Sequence, residues 1–264
     1  MALAEVSVLM RKLRANITAC FQFGAAAFAL ALMASTAPAA AQTAAEVSCG
    51  GLANAFGPFD YRSDHFKLPP GDQYPYAYKL NLVEIAHFTP EVEALLRGKS
   101  THLPGPDIDY TLRAFPNHHR ALITLSRLAE RTKIPAPAGL PRPIECYFDR
   151  AVRFVPDDSI VRLIFANYLI RRARLPEARG HIEAALRVAG DNPFTHYNIG
   201  LSFFEAGDHA AALTQAHRAM ALGFPRADLK QKLVAVGRWT DPVADVAAAA
   251  ASSPAAAASA GAPR

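Results

Sequence analysis

Histidine is the first residue type to test for chemistry. Nine are present, and five of them, His65, His87, His102, His118 and His119, fall within one stretch. Neutral imidazole is the commonest metal ligand. His87, His118 and His119, with Glu84 as an oxygen donor, are therefore the candidate set for a metal- or haem-binding accessory protein. Two observations weigh against it. Consecutive helical residues point about 100° apart, so His118 and His119 do not readily reach one ion together. The HExxH zinc arrangement is also absent. Surface and helix-capping roles are the simpler reading of these side chains, and no resident cofactor is expected.

The other chemical signals are weaker. Gly98-Lys99-Ser100 echoes the end of a phosphate-binding loop, but position 93 holds Glu93 where that loop needs glycine. Ser63-Asp64-His65 contains triad residue types, yet a triad is defined by spatial roles and not by adjacency. Glu84, Glu91 and Glu93 read as a solvated helix face rather than as paired catalytic carboxylates. GxSxG, SxxK and GxGxxG do not occur. No catalytic residue is assigned, and the expectation is a non-enzyme.

The ends point to export. Arg11, Lys12 and Arg14 precede an apolar stretch from Ala19 to Met33, and Ala39-Ala40-Ala41 follows, directly before Gln42. That order describes a secretory signal peptide over residues 1–41, and the apolar stretch is short for a span of about 20 residues. The expected location is the bacterial envelope, periplasmic or secreted, with no stable membrane insertion after cleavage. Met10 stands just before the basic patch as a natural start. Cys20 lies before the apolar stretch, where a lipoprotein attachment box does not, and is discarded with the signal. Without residues 1–41 the net charge falls from +5 to about +3, too mild to argue for nucleic acid. Cys49 and Cys146 remain; in an exported chain they are expected to form a disulfide. Residues 240–264, mostly Ala, Ser and Pro, cannot bury enough to offset ordering and read as a disordered tail.

The elements that must position any site come from a repeat. Ala166 returns as Gly200, Ala178 as Ala212 and Ala185 as Ala219, each 34 residues on. Phe165 and Ile199, Leu169 and Phe203, and Leu186 and Met220 keep the same step. A fixed period of that length marks stacked helical units, and small residues at matching positions let paired helices approach closely. Pro176 and Glu177 suit a helix start, Gly190 a stop, and Gly207-Asp208 a turn.

Tyr197-Asn198-Ile199-Gly200 through Phe203, Gly207-Asp208, Ala212 and Ala219 resemble the tetratricopeptide repeat family. Residues 159–192 match through Phe165-Ala166, Leu169, Ala178 and Ala185. An earlier copy, 119–158, matches through Leu125, Ser126, Ala151 and Pro156, with an enlarged inter-helix turn carrying Pro135, Pro137, Pro141 and Pro143. The resemblance implies an all-α fold: a right-handed superhelical stack over residues 89–239, with copies at 119–158, 159–192 and 193–226 and a cap helix at 227–239. Leu229, Leu233 and Val236 mark the apolar side of that cap. Residues 89–118 read as a degenerate repeat, with Thr89-Pro90 a helix start, Gly98 a stop and Asp109 the cap of a short helix reaching Phe115. Residues 42–88 read as an irregular extension.

The resemblance also implies a concave wall built from the first helix of each pair, binding a protein or peptide. Repeat phase places Arg120, Ile123, Thr124, Arg127, Glu130 and Arg131 there in the first copy. The second contributes Ile160, Leu163, Ile164, Asn167, Ile170 and Arg171, and the third Phe194, Tyr197, Asn198, Leu201, Phe204 and Glu205. The wall grades from basic to aromatic and so suits an anionic ligand. Asn167 and Asn198 fall at two positions of the carboxylate clamp of chaperone-binding members of the family, while Leu163 stands where the clamp has lysine. The aromatic side chains of residues 49–78 need burial and are the alternative cover for part of this wall.

Overall fold

The structure is a computed structural model that describes residues 49–67 and 78–242. The expected signal segment, residues 1–41, and residues 243–264 of the expected tail lie outside the described residues. Among the described residues the fold is all-α, with ten α-helices, one 3-10 turn at Asp64–Phe66 and no β-strand. The helices are α1 (Lys79–His87), α2 (Pro90–Glu93), α3 (Gly105–Ala114), α4 (His119–Thr132) and α5 (Ile144–Phe154). They continue as α6 (Ser159–Ile170), α7 (Leu175–Arg187), α8 (Pro193–Glu205), α9 (His209–Ala221) and α10 (Asp228–Ala235).

The closest partners are the sequence neighbours α6 with α7 and α8 with α9. The first members also touch one another: α4 packs on α6, and α6 on α8. The small residues that carry the 34-residue step explain these approaches. Ala166, Ala178, Ala185 and Ala212 are fully buried. A Cβ added to Gly200 would stand 2.5 Å from Leu229 Cδ2 of α10 and 3.2 Å from Gln215 Cβ of α9. The bare backbone at that position is what seats the last helix.

Helix starts are set by side chains that accept orphan N–H groups. Asp158 accepts from the amides of Ile160 and Val161, Asn192 from Thr195, and Asp208 from Ala211. At α4 the cap is His118, whose Nδ1 accepts from the Ala121 amide at 3.1 Å.

One hydrophobic core runs from Phe88 and Val92 through Leu125, Phe148, Tyr168 and Ile182 to Leu229 and Leu233. A smaller cluster joins Leu80, Val83, Ala114 and Phe115 to Phe56, Phe59, Tyr61 and Phe66 of the leading segment. That segment is held covalently by the Cys49–Cys146 disulfide, which closes a separation of 97 residues onto α5. Gly57 allows its closest approach: the Phe59 amide donates to Ala114 O at 2.9 Å, and a Cβ on Gly57 would stand 2.5 Å from the same oxygen.

Several local expectations are corrected. Residues 79–87, within the stretch read as irregular, form α1, which buries Leu80 and Val83. The helix begun at Pro90 stops at Glu93, well before Gly98, and Leu95 takes φ 58° just beyond it. Asp109 does not begin a helix. It sits buried inside α3, accepting from Tyr147 Oη at 2.7 Å and from Arg113 Nε at 2.9 Å. Helix α7 ends at Arg187, before Gly190. Val236 lies past the end of α10 and is exposed, whereas Leu229 and Leu233 are buried.

Candidate functional site

Caps at His118, Asp158 and Asn192 begin α4, α6 and α8. The position nine residues after the cap lines one cleft from all three helices, the position two after it from α6 and α8, and the position five after it from α4 and α6. Between them lies a cleft of about 380 Å³. It is lined by Ile123, Ser126 and Arg127 from α4, by Ile160, Leu163, Ile164, Asn167 and the adjoining Arg171 from α6, and by Phe194, Asn198, Leu201 and Ser202 from α8. No residue of the described leading segment 49–67 lines it. The aromatic rings of that segment lie elsewhere, with Phe59 packed on Phe115 and Tyr61 on His118 and His119.

Ten of the eighteen residues assigned to the wall thus meet in the cleft: Ile123, Arg127, Ile160, Leu163, Ile164, Asn167, Arg171, Phe194, Asn198 and Leu201. The other eight lie outside this lining, and for five of them the reason is identifiable. Arg120 turns to Glu93 and Glu84. Arg131 donates to Leu95 O at 2.7 Å. Ile170 and Phe204 pack against the core, with Lys232 over the Phe204 ring. Tyr197 is buried, donating to Asp228 Oδ2 at 3.0 Å with its ring on Phe224. Ser126 and Ser202 enter the lining unforeseen. They flank the row of Arg127 and Leu201, so a wall drawn only at steps of three and four residues passes over them.

The cleft has an apolar floor and a polar, cationic side. Phe194 is half exposed, at 51%, and Ile123 is 37% exposed. Such accessible apolar side chains beside a concavity are a usual sign of a binding surface. Arg171 is engaged by Glu130 across α4 and α6. Arg127 is exposed and, among the described residues, makes no hydrogen bond and no ion pair. Asn167 Oδ1 is buried without a hydrogen-bond partner. Asn198 Nδ2 is taken by Phe194 O at 2.8 Å.

The histidine candidates do not share a site. His87 Nδ1 meets Asp107 Oδ1 at 3.0 Å, His118 Nε2 meets Glu84 Oε1 at 3.0 Å, and His119 Nε2 meets Asp158 Oδ2 at 2.9 Å. Among the described residues no group of three or more His, Cys, Asp or Glu side chains is set to hold a metal ion. Each pairing joins chain segments instead. The hydrogen bond from His118 holds the Glu84 carboxyl below its usual range. Burial pushes the His118 imidazole down, and its contact with Glu84 opposes that only in part. Asp158 would be raised by burial, but His119, Asn117 and the Val161 amide together hold it below the ordinary carboxylate value. Asn117, fully buried, completes this network. Its Nδ2 donates to Asp60 Oδ1 at 2.7 Å and to Asp158 Oδ2 at 3.0 Å, while its Oδ1 accepts from the Tyr61 amide at 2.9 Å.

Gly98-Lys99-Ser100 also has a structural role. The Lys99 and Ser100 amides donate to Asp107 Oδ2 at 2.7 and 3.2 Å, tying the loop to α3. No protein-family model matches the chain, and no curated protein matches it.

Proposed function

We propose that this chain is a non-catalytic, exported protein of the tetratricopeptide type that binds an extended peptide or protein segment in the cleft between α4, α6 and α8. Its repeats at 119–158, 159–192 and 193–226 stack as a right-handed superhelix whose inner wall is that cleft. The observation that carries the reading is the lining itself: α4, α6 and α8 present apolar side chains and an arginine free of hydrogen bonds and ion pairs to one concavity. Concave walls of stacked helical pairs are interaction surfaces, and aromatic and arginine side chains are frequent interface anchors. The ligand is anionic in part, because the cations of the wall face it. The site of action is the bacterial envelope.

Selection from an unbiased random-peptide library tests the binding role. The wild type is expected to return peptides of about micromolar Kd, and Phe194→Ala, an exposed change, is expected to weaken them about ten-fold or more. A library that returns no binder, or binders indifferent to Phe194→Ala and Arg127→Glu, contradicts the assignment. N-terminal sequencing of the protein recovered outside the cytoplasm tests the export role; Gln42 is the expected first residue, and retention of the intact chain inside the cell contradicts it.

A further inference from the structure

One position of each cleft helix falls at the same distance from its cap. Arg127, Asn167 and Leu201 each stand nine residues after their helix cap, His118, Asp158 or Asn192. All three line the cleft. Because α6 packs against both α4 and α8, this row runs across the wall in the order cation, amide, apolar side chain.

The chemistry along the row is uneven. Arg120, Arg131 and Arg171 are already held by hydrogen bonds or ion pairs within the chain, whereas Arg127 makes neither among the described residues and only draws Glu93 down through its charge. A ligand carboxylate at Arg127 therefore meets a guanidinium that gives up no hydrogen bond and no ion pair. In the middle, Asn167 Oδ1 lacks a donor. Rotation about the last side-chain torsion of asparagine is soft, so that oxygen can turn to accept a backbone N–H of a bound chain. At the far end Leu201 sits with Phe194 on the same helix.

Geometry then sets a spacing. Packed helices lie about 8–10 Å apart, so the row spans roughly 16–20 Å over two steps. An extended chain advances about 3.3 Å per residue, which makes that distance five to six residues. Alternate residues of an extended chain face opposite sides, and both anchoring side chains must face the wall, so the number is even.

We propose that the ligand is an extended peptide carrying an acidic residue and a large apolar residue six positions apart, the acid at Arg127 and the apolar side chain at Leu201 and Phe194. This rests on the peptide-binding reading and adds its chemistry and spacing. The test is a panel of synthetic peptides in which one Glu and one Phe are separated by four, five, six or seven positions, in both orders, within a Ser/Gly background. Affinity for the full-length protein is measured by fluorescence anisotropy. Spacing six is expected to bind about ten-fold tighter than five or seven in one of the two orders. Arg127→Glu is expected to weaken the Glu peptide about ten-fold and to favour the matching Lys peptide, a swap that a misfolded variant cannot produce. Equal affinity at all spacings, or equal loss for Glu and Lys peptides, overturns the register while leaving peptide binding intact. A silent panel alongside successful library peptides overturns it as well; a silent panel and an empty library overturn both readings.

Discussion

Replacing Asp158 with alanine tests how the array holds its register. The carboxylate is 1% exposed and serves several elements at once. It caps α6 by accepting from the amides of Ile160 and Val161, both at 3.1 Å. It also meets His119 at the start of α4 at 2.9 Å and accepts from Asn117 Nδ2 at 3.0 Å. Loss of an N-cap costs about 1 kcal/mol. Leaving buried donors without an acceptor costs about 1–3 kcal/mol more. Asn117 keeps its bond to Asp60, which holds the second contribution toward the lower end. The expected destabilisation of Asp158→Ala is about 2–3 kcal/mol, or roughly 4–12 °C in Tm for a domain of this size. Asp158→Asn retains a cap acceptor and is expected to lose about half as much. Urea unfolding followed by far-UV circular dichroism measures both. An alanine variant within about 0.5 kcal/mol of wild type would refute the reasoning that this carboxylate ties α4 and α6 together.

Three further outcomes follow from the same structure. Replacing Cys49 and Cys146 together by serine removes a link across 97 residues and is expected to cost up to about 4–5 kcal/mol in the chain-entropy picture; urea midpoints of the two forms give the value. Gly200→Ala places a methyl 2.5 Å from Leu229 Cδ2 and is expected to destabilise by about 1–3 kcal/mol, with hydrogen exchange rising first in α10. His118 is held below the ordinary imidazole value of about 6.5 mainly by burial, so the unfolded chain takes up a proton there before the folded one does. Its stabilising contribution is complete above pH 6.5 and is lost as pH falls through the lower folded value. His118→Gln should flatten the wild-type decline below pH 6.5 in thermal melts, and an unchanged slope would contradict this.

The parts legible in the sequence share one property: they are set by local spacing. Ala166, Ala178, Ala185 and Ala212 recur at helical intervals because close packing tolerates no bulk there, and all four are fully buried. The same phase brought ten of the wall residues to the cleft. The Cys49–Cys146 pairing rested instead on the two cysteines that remain once the expected signal segment, with Cys20, is set aside. What escaped depends on partners far along the chain. Asp109 has the residue type of a helix cap, yet Tyr147, 38 residues later, satisfies it in mid-helix. Arg120 carries the groove phase, but Glu84 and Glu93 draw it away. Tyr197 shares the phase of Ile123 and Leu163, yet Asp228 and Phe224 hold it under the final helix. Helix α1 was hidden by its Tyr- and Pro-rich surroundings, since its buried Leu80 and Val83 find their partners outside the helix, in Ala114, Phe115 and the rings of Phe56, Phe59, Tyr61 and Phe66.

The most direct measurement of the central claim is a chemical-shift map of the full-length protein titrated with a peptide selected for binding. Perturbed resonances are expected to concentrate on the cleft-lining faces of α4, α6 and α8, at Arg127, Asn167, Phe194, Asn198 and Leu201. Perturbation confined to α5, α7 and α9, or to the leading segment around Tyr61, would contradict it.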